Sequence, residues 1–543
     1  MIISEPNISE TTFDVVIIGA GINGAGIARD AAMRGLRVLL LDKGDMGSGT
    51  SAWSTRLIHG GLRYLEHSEL SLVRESLRER EYLLKIAPHL VHSLIVLVPI
   101  YKGSRRGLWT MRAGMLAYDA LSFDKTLPRH RMLTRDEALR EVAGLNQDEL
   151  LGAAVYFDAQ VEFAERLVVE NVLSALKYGA RVITYARLNN FIMAGKEVRG
   201  IEYREEHTGA THVAHAHVVI NAAGPWVDEV LGNVHVESLD KKRLIGGTKG
   251  SHLVVGPFPG APSTAIYVEA QGDHRPFFII PWNHNYLIGT TDSRYDGNLD
   301  NVRINEDESE YLLRETNRVI PGAQLDRRHI LYTYSGVRPL PFNDDHDEAA
   351  ITRRHFIRPH TEAGNLFSIV GGKLTTYRSL AEETVDLIFN TLGKPNPPCT
   401  TAHEKLTGGN HSDFSAVGKE LRDQAQLSDY SVRHLLRTYG GAACSVMEMA
   451  AEDSRLAEIV DPETGAIAAE VVYAFQQELA QTLSDCLMRR TMIGLNSTRG
   501  LGAIEAVARV AQTFLGWSDE RSASEIETYR RYVAERLPTP TDL

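Results

Sequence analysis

Cysteine is scarce in this chain: Cys399, Cys444 and Cys486 are the only three among 543 residues. Their spacings, 45 and 42 residues, suit neither a zinc ribbon nor an iron–sulfur cluster. Three thiols also make no disulfide framework, so a reducing compartment is the expected setting. Long apolar runs are missing as well. LIVLVPI, Leu94 to Ile100, is among the longer ones, and it falls far short of the roughly 20 residues a membrane-spanning helix requires. The opening MIISEPNISETTFD is acidic and lacks the basic, apolar and small-residue order of a secretory signal. Positive charge is in deficit, with 58 Lys and Arg against 70 Asp and Glu for a net charge of −12. That balance argues against general nucleic-acid binding, which depends on neutralising phosphates.

What is present begins with a globular composition, 43% hydrophobic and 24% charged, in a chain long enough for two or three domains. From Asp14 it reads DVVIIGAGINGAGIARDAAMRGLRVLLLDKGD. Val15 to Ile18 form an unbroken β-branched run, the pattern of a strand buried on both faces. Gly19, Gly21 and Gly24 follow in GxGxxG spacing, then a helix with small residues toward the sheet, and a second strand closed by Asp42. Gly19 permits the tight turn, Gly21 lets a pyrophosphate reach the backbone, and Gly24 allows close helix–strand packing. The helix N-terminus offers N–H groups and a positive dipole to phosphates, and Asp42 is placed to hold an adenosine ribose. This motif alone does not separate NAD from FAD.

Two further stretches favour FAD, and a third strand–turn segment lies between them. GDMGSGTSAWSTRLIHGG is a polar loop long enough to run beneath a large planar cofactor and brings Thr50, Ser51, Ser54, Gly60 and Gly61 toward it. VVINAAGPWVDE is another strand entering a glycine turn, at Ala223 and Gly224. FSIVGGKLTTYRSLAEETVDLIF reads as a strand, a Gly371–Gly372 turn and a helix beginning near Thr375. A second helix N-terminus suits the flavin pyrimidine edge, where reduction develops negative charge. Asn23, Gly372, Lys373, Leu374 and Thr375 complete the expected cofactor contacts.

GAGINGAGIARDAAMRG, TSAWSTRLIHGGLRYLEH, KGSHLVV, IGTTD, TYSGVRPL and GGKLTTYR stand in this order over residues 14 to about 390. Together they resemble the FAD-dependent glycerol-3-phosphate dehydrogenases, respiratory enzymes that pass electrons to quinone. LIHGGLRYLEH and YSGVRPL are more discriminating than the glycine motifs, which many flavoproteins share. The resemblance implies an α/β fold: a Rossmann-like FAD domain built from separated segments, an inserted antiparallel-sheet cap, and a C-terminal helical domain. Expected boundaries are 14–80 with 155–225 and 330–393 for FAD, 81–154 and 226–329 for the cap, and 402–543 for the helical domain. The low cysteine count disfavours an anaerobic relative with a cysteine-rich C-terminal cluster domain.

A substrate with a phosphate and a secondary alcohol needs fixed cations, preferably arginine, and a base for the hydroxyl proton. By resemblance Arg63, Arg338, Arg353 and Lys373 hold the phosphate and polyol, with Tyr64 hydrogen-bonding. His59 and His252 are the proton-acceptor candidates, and the residues leave that choice open; Arg338 is counted with the catalytic group. Arg354 is expected to be a solvated or ion-paired neighbour, because adjacent strand side chains point to opposite faces. The implied partners are glycerol 3-phosphate, membrane quinone and an anionic membrane surface, with a homodimer compatible and nucleic acid excluded. The implied location is cytoplasmic, at the inner face of the cytoplasmic membrane. Rival readings are an oxidase of the same family, which would make hydrogen peroxide, an amine or amino-acid oxidase, and a non-enzymatic scaffold.

Residues 249 to 292 hold four short β-rich runs, with WNHN as a hairpin turn, and Phe277, Phe278 and Trp282 are expected in the core. DGNLDNVRINEDE, from Asp296, superficially suggests a calcium loop, but Asn301 stands where the turn glycine belongs and Asp307 where the closing glutamate belongs. It reads as a solvated acidic loop, and no metal site is expected. Tyr101 to Met132 carries seven Lys/Arg against two Asp among exposed-type apolar residues, the composition of a segment lying on an anionic leaflet. KPNPPCTT, Lys394 to Thr401, reads as a linker to helical patterns whose function is not legible.

Overall fold

The computed structural model describes residue 8 and residues 11–65, 69–232, 242–343, 354–411 and 413–540, without the side chains of residues 63, 64, 424 and 425. Strand Thr12–Ile18 lies at the centre of a parallel core. Val38–Leu41 and then Arg181–Ile183 follow on one side, and Thr211–Asn221 and then Leu366–Val370 on the other. Its side chains alternate, as the strand period requires. Val15 and Ile17 pack into a cluster with helices Ile22–Met33, Ala164–Lys177 and Tyr377–Leu392. Val16 and Ile18 pack with Leu188, Phe191, Val198 and Ile201 from the antiparallel ribbon 186–205. An uninterrupted apolar run is therefore what both faces demand.

The second sheet has ten strands. Thr248–Val255, Asn285–Gly289, Pro276–Trp282 and Ala265–Glu269 pair antiparallel in that order. Ala265–Glu269 then pairs parallel with Val91–Tyr101, so the sheet is mixed at that one step. WNHN is a two-residue hairpin: Trp282 pairs with Asn285, and Asn283 and His284 take φ of 48° and 63°, the primed-turn geometry that matches strand twist.

Strand pairing cuts across the expected segment boundaries. Ile330–Arg338 runs antiparallel along Thr248–Val255, and Leu57–Ile58 and Leu150–Val161 also join the second sheet. Those strands lie in stretches assigned from sequence, wholly or in part, to the cofactor domain. The pairing is non-local, so no pattern within each strand could reveal it.

Phe277 and Trp282 are buried as expected; Phe278, on the face opposite Phe277, is partly buried against the cluster that holds Trp282 and also lines the central cavity. The acidic stretch after Asp296 is a loop, with Asp300 paired to Lys43 at 2.8 Å. Its last acids form the first turn of helix Glu306–Val319, capped by Asn305. No cluster of metal-ligating side chains occurs among the described residues. Arg354 is exposed. After an irregular, largely exposed linker, the C-terminal region is mainly helical, from Phe414–Ala425 to Asp519–Arg536, with one small strand pair. Among the described residues no helix is long and apolar enough to cross a membrane.

Candidate active site

A cavity of about 1010 Å³ runs between the two sheets and the C-terminal helices. Its first half is built by the glycine turn. Gly19 has φ of 102°, and a Cβ there would lie 2.7 Å from the Ala222 carbonyl oxygen. A Cβ on Gly24 would sit 1.8 Å from the Gly19 oxygen, so Gly24 is a packing residue, and it does not line the cavity. Gly21 precedes helix 22–33, and a Cβ there would meet only the Ser51 hydroxyl, at 3.3 Å. Ser51 Oγ accepts the Ile22 N–H at 2.9 Å, placing a hydroxyl on the helix N-terminus.

Asp42 closes the second strand as expected. Its carboxylate accepts from the Ala20 N–H at 2.6 Å and the Gly44 N–H at 2.8 Å. Burial still pushes its pKa up to about 6, because those two bonds only partly offset the lost solvation. Each oxygen keeps a lone pair for a further donor. Thr50 donates to the Val337 carbonyl at 2.7 Å, tying the loop to strand 330–338.

The second helix entry faces the first. Gly371 and Gly372 take φ of 82° and 103°, and Asn23 Nδ2 donates to the Gly371 oxygen at 3.4 Å. The helix proper begins at Tyr377, two residues later than expected, because Lys373 to Thr376 form a tight turn first. Ala223, Gly224, Gly372, Lys373, Leu374, Thr375 and Ser54 all line the cavity.

The chemistry-bearing residues cluster at the other half. His252 lies on strand 248–255, where its Nε2 shares a hydrogen bond with Thr55 Oγ1 at 2.9 Å and its ring stacks on Tyr334 with centroids 4.8 Å apart. Nδ1 is buried without a hydrogen-bond partner. Burial, reinforced by Arg338 and Arg56, holds its pKa well below the usual histidine value. Arg338 ends the neighbouring strand, opposite Thr248. Its guanidinium donates to Asp292 at 3.0 Å and to Thr290 at 3.1 Å. A Cβ at Gly250 would lie 2.4 Å from that guanidinium, so glycine makes its room.

His59 is anchored through its backbone N–H to Thr375 Oγ1 at 3.1 Å. Burial lowers its pKa; the Asp158 carboxylate opposes this, while Lys373 and Arg80 add to it. Gly61 lines the cavity, but Gly60 does not. Of the two glycines expected to come toward the cofactor, Gly61 alone reaches the cavity wall, and Gly60 lies behind it. Its N–H donates to the Tyr118 hydroxyl at 3.0 Å, and a Cβ would clash with that hydroxyl and with Leu77. Tyr118 in turn donates to Asp158, which the buried Arg80 pairs at 2.7 Å. The side chains of Arg63 and Tyr64, and the whole of Arg353, lie outside the described residues.

Sequence reasoning missed several contributors. Asp292 and Thr290 were visible within IGTTD and Thr55 within TSAWSTRLIHGG, but nothing local signalled their partners. Arg489, Tyr532 and Arg536 of the helical domain also line the cavity.

The cavity suits a dinucleotide on the chain's own evidence. Asn23 Oδ1 and Trp226 Nε1 are buried without protein partners, and both residues line it. Unmet polar atoms beside a glycine cradle suit a polar cofactor.

Comparison with known proteins agrees. Residues 14–383 match the family described as FAD dependent oxidoreductase, and residues 399–522 match the C-terminal domain of alpha-glycerophosphate oxidase. The glycerol-3-phosphate dehydrogenase of Synechocystis sp. is 46% identical, covering 98% of each chain. The aerobic glycerol-3-phosphate dehydrogenase of Staphylococcus haemolyticus is 33% identical over 89% of this chain and 87% of the relative. The solved structure of glycerol-3-phosphate dehydrogenase from Bacillus halodurans, complexed with FAD, aligns with a TM-score of 0.76 and 28% identity over 97% of this chain and 96% of that one. Glycine oxidase from Geobacillus kaustophilus, at 21% identity and a TM-score of 0.53 over 74% of this chain and all of that one, shares the fold. The chain thus belongs to the FAD-dependent oxidoreductases, in the glycerol-3-phosphate dehydrogenase family.

Proposed function

We propose that the chain oxidises sn-glycerol 3-phosphate at C2 to dihydroxyacetone phosphate and passes the electrons to membrane quinone. Bound FAD supplies the hydride acceptor at N5. The observation that carries the reading is a fixed guanidinium, Arg338, and a buried imidazole, His252, on paired strands of one cavity wall. Arg338 binds the organophosphate, with Lys373 and, by resemblance, Arg63, Tyr64 and Arg353 sharing it. Its fork is held by Asp292 and Thr290 before substrate arrives, which reduces the ordering cost of binding. His252 takes the hydroxyl proton. Thr55 occupies Nε2, so Nδ1 is the nitrogen left to accept it. His59 is the other candidate, and its nearby Asp158 would stabilise an imidazolium.

Because His252 titrates below the ordinary 6.5, kcat/KM should stay level from neutrality down to that pH. It should fall only below it, as the base becomes protonated. An acid limb centred above 6.5 would remove His252 from the role.

The quinone assignment draws support from helix Leu108–Leu121. Met111, Met115 and Tyr118 pack inward, while Trp109 is 81%, Leu116 56% and the following Phe123 78% exposed. Arg112 lies 6.0 Å from the Trp109 ring centroid and Arg74 4.5 Å from that of Phe123, and Lys102, Arg105 and Arg129 of the same stretch are exposed. Large exposed apolar side chains in a cation-rich stretch suit the interface of an anionic bilayer. Replacing Trp109 and Phe123 together with serine should lower partitioning onto anionic phospholipid vesicles by about tenfold. Unchanged co-sedimentation would detach this helix from the membrane role.

An oxidase using oxygen is the second reading, favoured by the match of residues 399–522 to an oxidase C-terminal domain. The deciding experiment reduces the flavin with glycerol 3-phosphate without air, then mixes it separately with a short-chain quinone and with oxygen. Reoxidation should be faster with quinone; faster reoxidation by oxygen would select the oxidase.

A further inference from the structure

The C-terminal helical domain touches the cofactor loop at one buried carboxylate. Asp45 lies three residues beyond Asp42 and is 2% exposed. It accepts from Arg489 Nε at 2.5 Å and from both terminal nitrogens of Arg490 at 2.8 Å. These two arginines are adjacent in sequence, and in an α-helix neighbours diverge by about 100°. Here the segment Cys486–Arg490 is a π-turn, closed by the Thr491 N–H on the Cys486 oxygen at 2.9 Å. It lets both side chains reach one acceptor. Such turns are uncommon and cluster at functional sites.

The contact continues on either side of Asp45. Arg489 also donates to Asp485 at 2.7 Å, and Asp485 accepts the Tyr185 hydroxyl at 2.6 Å. The Tyr185 N–H returns to the Gly44 oxygen at 2.9 Å, and the Gly44 N–H holds Asp42. A continuous set of bonds therefore joins the helical domain to the acid expected to hold the ribose. Further along the same loop, Arg536 lies 6.0 Å from the Trp53 ring centroid, and the Pro538 carbonyl accepts the Thr333 N–H at 2.9 Å. Burial alone would raise the Asp45 pKa, yet Arg490 and Arg489 hold it below the usual carboxylate range.

We propose that the C-terminal domain is a working part of the FAD site, its docking through Arg489 and Arg490 onto Asp45 fixing the loop that holds the dinucleotide. Retention of FAD and docking of the domain are then coupled, and linkage makes the coupling equal in both directions.

The test follows flavin release from full-length holoprotein after dilution, read as the fluorescence of freed FAD. Asp45→Asn keeps the side-chain shape and removes the charge, and it should speed release by about 10- to 100-fold. Arg437→Gln probes docking at a second contact that does not involve Asp45, because Arg437 pairs with Glu162 on the other side of the domain interface and is partly exposed. It should speed release by about threefold or more and increase protease cleavage in linker 394–401, in proportion to the loosened contact. The idea is overturned if Asp45→Asn, folded by circular dichroism, releases FAD at the wild-type rate. It is equally overturned if Arg437→Gln exposes the linker while flavin release stays unchanged, and this second variant decides the matter should the first fail to fold.

Discussion

Replacing Arg338 with alanine should lower kcat/KM for glycerol 3-phosphate by about 10²- to 10³-fold while the purified protein stays yellow. The guanidinium ends strand 330–338, about a quarter exposed, and donates to Asp292 and Thr290. Removing it takes away a fixed cation and at the same time leaves Asp292 facing the substrate without this partner. An anionic substrate then meets a carboxylate where it had met a fork. Losing one charged partner of a partly buried pair costs about 2–5 kcal/mol, which brackets the roughly 2.7–4.1 kcal/mol of the stated range. Most of the loss should appear in KM, since the phosphate is held alike before and during the reaction. Arg338→Lys should recover part of it, because a point charge replaces the charge but not the planar fork. Saturation of the alanine variant at the wild-type substrate concentration would take Arg338 out of the site.

Gly24→Ala should yield protein without FAD, whereas Gly21→Ala should fold and bind FAD more weakly. The two glycines belong to one motif but do different work. At Gly24 an added methyl would overlap the Gly19 carbonyl at 1.8 Å. Helix 22–33 could accept it only by moving off the sheet, where Ala25, Ala28 and Ala31 are fully buried. Overpacking of this kind costs about 1–3 kcal/mol or more and here displaces the phosphate-binding turn itself. At Gly21 the methyl meets only the Ser51 hydroxyl, so its effect falls on ligand approach rather than on packing. The ratio of visible flavin absorbance to protein absorbance, with the melting temperature, separates the two. A yellow Gly24→Ala protein with an unchanged melting temperature would refute the packing role.

The legible parts of this molecule are those written within a few tens of residues. The βαβ unit announces itself through its apolar run, its glycine spacing and the acid at its end. The hairpin at Asn283–His284 needed only its four-residue turn. By contrast, the place of strand 330–338 beside Thr248–Val255 rests on a pairing partner some eighty residues away. Gly60 stood beside Gly61 in the sequence with the same apparent purpose. Its actual neighbour, Tyr118, arrives from helix 108–121. Phe277 and Phe278 read alike in the sequence, yet strand alternation sends Phe277 into one buried cluster and Phe278 to the cavity-facing edge of another. The helical domain offered least, because the anion that gives Arg489 and Arg490 a purpose is Asp45, at the other end of the chain.

The proposed function requires a flavin to share one cavity with the phosphate-binding Arg338 and Lys373. Its most direct test is the visible spectrum of the purified protein, recorded without air before and after adding glycerol 3-phosphate. A yellow protein is expected, its flavin band bleaching with saturable dependence on that compound, and far less with unphosphorylated glycerol. A protein that carries no flavin, or one whose band is indifferent to the phosphate ester, would contradict it.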